Sequence, residues 1–183
     1  SSLPAPTLNC YAFGYKFAKL SWNTIDCANS YNLYDGNTKI GNYTTTNATI
    51  TGLDYGSNHS YTVTSNVGSA ESNKSTAVAV NCPAYPSVIG VSFSNVKQNQ
   101  VTVNWNPVTI SPANHSLVRY HVHFYKIAAT AEGTFIKAIT TTETSYTFDG
   151  LTDNTQYTAY VDVEYQYTLN GETKNVHESR WSS

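Results

Sequence analysis

Apolar and polar residues alternate with a period of two in short runs along nearly the whole chain, and Gly, Asn, Asp and Pro punctuate the runs. Successive side chains on a strand point to opposite faces, so this alternation predicts strands with one face inward. The runs place strands at about 7–12, 17–22, 30–34, 38–44, 48–53, 59–65 and 75–81. A second series follows at 88–96, 100–106, 119–126, 133–140, 145–151 and 156–168, with a last strand ending at Trp181. Asp35-Gly36 and Asn170-Gly171 have the composition of tight hairpin turns. No window sustains a 3.6-residue apolar period, and no stretch approaches the roughly 20 consecutive apolar residues of a membrane-spanning helix.

The two series are copies of one pattern. The stretch LSWNTIDCANSYNL, Leu20 to Leu33, sets Trp22 at the end of one run and Tyr31 at the start of the next; Trp105 and Tyr120 repeat this after a longer insert. Counting back 14, 12, 9 and 2 positions from Trp22 gives Leu8, Cys10, Phe13 and Leu20; from Trp105 it gives Val91, Phe93, Val96 and Val103. All eight are apolar or cysteine and are expected to face inward. An internal repeat of about 90 residues predicts two domains, 1–82 and 83–183. Between them, two prolines in Pro83-Ala84-Tyr85-Pro86 stiffen the connection, so the units are expected to form a rod.

Composition narrows the function. Only 12% of the 183 residues are charged, Tyr is abundant at 15, and the net charge is −2. Four basic and four acidic residues precede Pro83, against six basic and eight acidic from there on, so neither half offers a basic stripe for nucleic acid. The start of the chain, SSLPAPTL, has the look of a processed end or an excision from something longer. Five N-x-[ST] acceptors, Asn42, Asn47, Asn58, Asn73 and Asn114, point outside the cell and are expected on turns or solvent faces.

The segment from Lys19 to Val80 resembles a fibronectin type III domain, particularly the short-loop form of prokaryotic secreted proteins, and the resemblance extends over nearly the whole chain. It implies an all-β fold of two immunoglobulin-like (fibronectin type III) seven-stranded β-sandwiches in tandem. It also implies core roles for Trp22, Tyr31 and Leu53 in the first unit and Trp105, Tyr120 and Leu151 in the second. Tyr157, six residues after Leu151, matches the corner tyrosine whose hydroxyl bonds back to the backbone. Six residues after Leu53 stands His59, which departs from the pattern.

In such a sandwich Cys10 and Cys82 lie on neighbouring strands, and a Cys10–Cys82 disulfide is the preferred pairing, closing a loop of roughly 70 residues. Cys27 is then a free thiol or bridges two molecules. Three reduced cysteines remain the alternative.

Candidate chemistry is sparse. The chain has no G-x-S-x-G elbow, H-E-x-x-H pair, phosphate loop or C-x-x-C pair, and it reads as non-catalytic with no cofactor. One cluster stands out: His121 and His123 alternate with core residues and share an outward face with Asp162 and Glu164. Counting back from the Asn-Gly turn sets His177 opposite Glu164. Three imidazoles and two carboxylates suit a borderline metal; on the sequence alone a solvated strand face whose imidazoles simply charge in mild acid is the preferred description, and no metal is assigned.

The leading expectation is an extracellular structural or adhesion protein, a glycosylated cell-surface or filament subunit packing head-to-tail with copies of itself or with other surface proteins. The alternative is a carbohydrate-binding or spacer module of a secreted polysaccharide-degrading enzyme, with Tyr125, Tyr160 and Trp181 as the exposed aromatics for glycans. A cytokine-receptor-like ectodomain is less favoured. Glu178 to Ser182 resembles the W-S-x-W-S signature with its first Trp replaced, but the stacking arginines and paired cysteines are missing.

Overall fold

The computed structural model describes residues 2–128, 133–180 and 182. Every regular element among them is a β-strand, as the alternation requires. The chain divides into two compact units, Ser1–Tyr85 and Pro86–Ser183. This division lies three residues beyond Cys82. Tyr85 stays with the first unit because its ring packs edge-on against Tyr55 at 5.0 Å, while the Gly56 N–H donates to the Pro83 carbonyl.

The first unit contains β1 (Leu8–Phe13), β2 (Ala18–Trp22), β3 (Ser30–Asp35), β4 (Thr38–Tyr43), β5 (Asn47–Ile50), β6 (Asn58–Val67), β7 (Ala70–Glu71) and β8 (Val78–Asn81). One sheet has the order β1-β2-β5; the other has β4-β3-β6, with β7 and β8 both pairing to β6. The second unit contains β9 (Ser92–Lys97), β10 (Gln100–Asn104), β11 (His115–Lys126), β12 (Thr134–Thr141), β13 (Ser145–Phe148), β14 (Tyr157–Leu169) and β15 (Glu172–His177). Its sheets are β13-β10-β9 and β12-β11-β14-β15. Each unit is therefore an antiparallel sandwich with one connectivity. The difference is the last strand of the first unit, split into β7 and β8.

The two cores repeat one device. Trp22 and Trp105 are 6% and 4% exposed. Each indole meets a buried tyrosine: Trp22 meets Tyr31 at 5.8 Å and 61°, and Trp105 meets Tyr120 at 5.5 Å and 70°. A buried phenol needs a partner for its oxygen. Tyr31 Oη accepts from the Ile25 N–H and Tyr120 Oη from the Val108 N–H, both at 3.0 Å. Each tyrosine thus ties the loop after its tryptophan to the core. Leu33, Val63, Val122 and Val161 complete the inner face of the larger sheets, and Leu20 and Val103 that of the smaller ones. Leu53 and Leu151 are half-buried at the rim.

The corners differ as their residues dictate. The Thr152 N–H donates to Tyr157 Oη at 2.9 Å, next to Leu151. His59 makes no such bond: its Nδ1 lies 2.6 Å from Asp35 Oδ2 and its Nε2 lies 2.7 Å from Ser57 Oγ. The shorter imidazole bonds instead to Asp35 at the end of β3 and to Ser57 in the corner itself.

Two expectations are corrected. Phe13, Phe93 and Val96 are not buried: Phe13 and Phe93 are each 43% exposed and Val96 is 74% exposed. Edge strands β1 and β9 each slip register against their partners, between Cys10 and Ala12 on β1 and opposite Gln100 and Thr102 for β9. The register still sets Phe13 opposite buried Ala18 and Phe93 opposite buried Val103, so both start on the inner face and are left uncovered because β1 and β9 are the edges of their sheets. The Cys10–Cys82 disulfide is not formed, and Cys10, Cys27 and Cys82 are all free thiols. Cys10 borders the β1 bulge and directs its Sγ to the Ala12 carbonyl at 3.3 Å; burial pushes the Cys10 and Cys82 thiols up from their ordinary value. Asn42, Asn47, Asn58, Asn73 and Asn114 are all exposed. The Asn42 amide, however, already donates to Ser30 Oγ at 3.1 Å and Asn32 Oδ1 at 2.8 Å, bonds that a glycan on that nitrogen would disturb.

Candidate functional site

In both units the outward face of the larger sheet carries a polar network at matching positions. In the first unit β3 and β6 set Asn32 opposite Thr64, and β6 and β7 set Asn66 opposite Glu71. In the second, His121 pairs with Asp162 across β11 and β14, and Glu164 pairs with His177 across β14 and β15. One scaffold position therefore holds Asn, Thr, Asn and Glu in one unit and His, Asp, Glu and His in the other.

In the first unit a single carboxylate oxygen collects three donors. Glu71 Oε1 accepts from Tyr34 Oη at 2.5 Å, Thr64 Oγ1 at 2.6 Å and Asn32 Nδ2 at 3.0 Å. Hydrogen bonds to the charged form favour it. Those from Asn32, Thr64 and Tyr34, in that order, lower the Glu71 carboxyl from 4.5 to about 2. Because the folded value lies below the unfolded one, this contribution is fully present above pH 4.5 and is lost as pH falls towards 2. Glu71 is exposed, so screening limits it to about 1 kcal/mol or less, a few degrees for a unit of this size. The first unit's melting temperature is expected to fall through this window, and Glu71→Gln is expected to flatten the step.

The second unit's network is denser in titratable groups. Asp162 is 3% exposed and lies at its centre. His177 Nε2 stands 2.6 Å from Asp162 Oδ1, while His123 Nε2 and the Arg180 N–H each stand 3.3 Å from Oδ2. Glu164 Oε2 lies 2.8 Å from His121 Nε2 and 3.2 Å from Arg119 Nε, and Asn175 donates to Oε1 at 3.2 Å. The hydrogen bond from His121, with help from Asn175 and Arg119, holds the Glu164 carboxyl below its usual range against the opposing effect of burial. The His121 and His177 rings stack face to face, 3.6 Å apart and 10° from parallel. His123 Nε2 is buried and makes no hydrogen bond, since its approach to Asp162 is close in distance but poor in angle. A hollow of about 130 Å³ opens beside it, bounded by Tyr125, Tyr160, Asp162, Ser179 and Arg180.

Asp162 makes this a partly buried cluster and not the solvated face preferred on sequence grounds. The register brings together His121, His123, Asp162, Glu164 and His177. What sequence counting missed is the first-unit network around Glu71; only aligning the two copies strand by strand finds it. The sugar platform expected of Tyr125 and Tyr160 is not flat, because their rings meet at 71°. A sugar stacking on one would meet the edge of the other. Trp181 lies outside the described residues.

Residues 84–183 match the sequence profile of the Fibronectin type III domain. The chain is 32% identical over 143 residues, 72% of its length, to Exoglucanase B of Cellulomonas fimi. It is 25% identical over 166 residues, 85% of its length, to a Kelch domain-containing protein of Saccharolobus solfataricus. It spans only 13% and 21% of those two relatives. Among solved structures, a two-domain fibronectin type III segment of chicken tenascin is 18% identical with a TM-score of 0.35, covering 94% of this chain and 97% of that one. The central fibronectin-III array of RIM-binding protein is 18% identical with a TM-score of 0.37, covering 96% and 62%. At these scores the likeness says nothing of function.

Proposed function

The chain belongs to the fibronectin type III family, and from that premise we propose that it is a non-catalytic module of a larger extracellular protein, spacing and holding the domains on either side. The observation that carries this reading is the extent of its similarity to the exoglucanase, which covers most of this chain and a small fraction of the enzyme. Interiors packed by Trp, Tyr, Val and Leu suit a load-bearing part, and the exposed sequons suit life outside the cell. An antibody against the chain, applied to cell, surface and medium fractions of its source, tests the reading. The expected result is a species well above 20.1 kDa at the surface or in the medium; a 20 kDa species confined to the cell interior would overturn it.

A second reading, a surface subunit that associates with its own copies, is favoured by β12. This eight-residue strand forms a sheet edge and exposes Phe135 and Ile136. Long apolar edges invite strand pairing between molecules. Electron microscopy of the isolated native protein would show ordered polymers on this reading and single particles on the first.

A further inference from the structure

We propose that the outward face of the second unit's larger sheet binds one borderline divalent cation of the zinc type through His121, Asp162 and His177. This goes beyond the spacer reading, which requires no ligand. One donor atom from each of the three residues lies within 4.8 Å of the others. A tetrahedral ion with bonds of roughly 2.0–2.2 Å needs its ligands about 3.4 Å apart. Side-chain rotation on strands fixed by their register is enough to close that gap. The His121 and His177 rings lie side by side with centroids 3.6 Å apart, and turning them out of their stacked arrangement aims one nitrogen of each at a common point. Two imidazoles with one carboxylate suit zinc and its neighbours, whereas magnesium and calcium prefer oxygen throughout.

Three observations point the same way. Asp162 is a carboxylate withdrawn from water, a placement that calls for compensating positive charge. Glu164 holds His121 Nε2, which leaves Nδ1 as the nitrogen to ligate, and is itself held by Arg119 and Asn175. Such a carboxylate behind an imidazole fixes the tautomer and orientation of a metal-binding histidine. Finally, His123 Nε2 is buried without a hydrogen-bond acceptor beside a hollow far larger than the ~10–15 Å³ that a water requires. A water completing the ion's coordination supplies that acceptor. The first unit provides an internal comparison, since Asn32, Thr64, Asn66 and Glu71 stand at the equivalent positions and offer no imidazole.

The test uses the tag-free full chain, stripped with EDTA and titrated with zinc chloride, read by calorimetry and thermal unfolding. Binding to the folded state alone raises the melting temperature. One zinc per chain is expected, the second unit's transition rising by several degrees and magnesium chloride having no effect. His121→Gln and His177→Gln are each expected to weaken binding by at least about tenfold, and Glu164→Gln by about 10–100-fold. His59→Gln in the first unit leaves the affinity unchanged. Metal-free melting of each variant shows that it folds. Unchanged melting of the wild type at millimolar zinc, or wild-type affinity in the His121 and His177 variants, overturns the proposal.

Discussion

Trp105→Ala is expected to destabilise the second unit by about 3–5 kcal/mol, the range for truncating a large buried aromatic. The indole fills the centre of the sandwich, and its removal also strips Tyr120 of its packing partner. Tyr120 in turn holds the loop at Val108, so the damage spreads beyond the cavity. Trp22→Ala is expected to act alike on the first unit through Tyr31 and Ile25. Urea unfolding of the full chain, with the two transitions resolved, measures both. Only the unit carrying the substitution should shift. Trp105→Phe is a telling contrast: Trp105 Nε1 is buried with no hydrogen-bond partner, so the smaller ring loses volume but also removes an unsatisfied donor. It should cost well under half as much as alanine. A loss below about 1 kcal/mol for Trp105→Ala would mean that the ring is not the pivot of the core.

Asp162→Ala is expected to cost the second unit about 3 kcal/mol in metal-free buffer at neutral pH. The substitution leaves His177, His123 and the Arg180 N–H facing a hole where a carboxylate stood. Removing one member of a buried charged cluster strands the others, which costs more than the cluster itself contributes. Thermal unfolding with EDTA present gives the value, and His177→Gln provides the scale, because that ring sits at the margin. A change of less than about 1 kcal/mol for Asp162→Ala would show that water already satisfies these groups.

Much of the architecture was legible because it depends on features that repeat. The Trp–Tyr spacing occurs twice, and the Asn170-Gly171 turn sets the β14–β15 register that brings His177 opposite Glu164. Both turn residues have positive φ, at 52° and 80°, which Asn and Gly adopt at least cost. The exposure of Phe13, Phe93 and Val96 has a definite reason. Facing inward is not burial: Phe13 and Phe93 stand opposite buried Ala18 and Val103, but β1 and β9 are sheet edges with no strand on their far side, and a period of two does not say which strand is an edge. The division of the first unit's last strand into β7 and β8 was also illegible. Ser72 and Ser75 there accept the N–H groups of Ser65 and Val63 through their hydroxyls, a side-chain substitute for ladder bonds that has no periodic signature.

By itself the order of residues determined an all-β chain, two copies of one sandwich, and the outward grouping of three histidines with two acids, because strand parity and turn chemistry are local. Only the folded arrangement decided that Asp162 is shut away from water, that His121 and His177 lie ring on ring, that Glu71 collects three donors, and that Cys10 and Cys82 stay unbonded. Those outcomes depend on distances between strands far apart in sequence and on ångström-scale offsets at bulges, and a period of two carries no record of either.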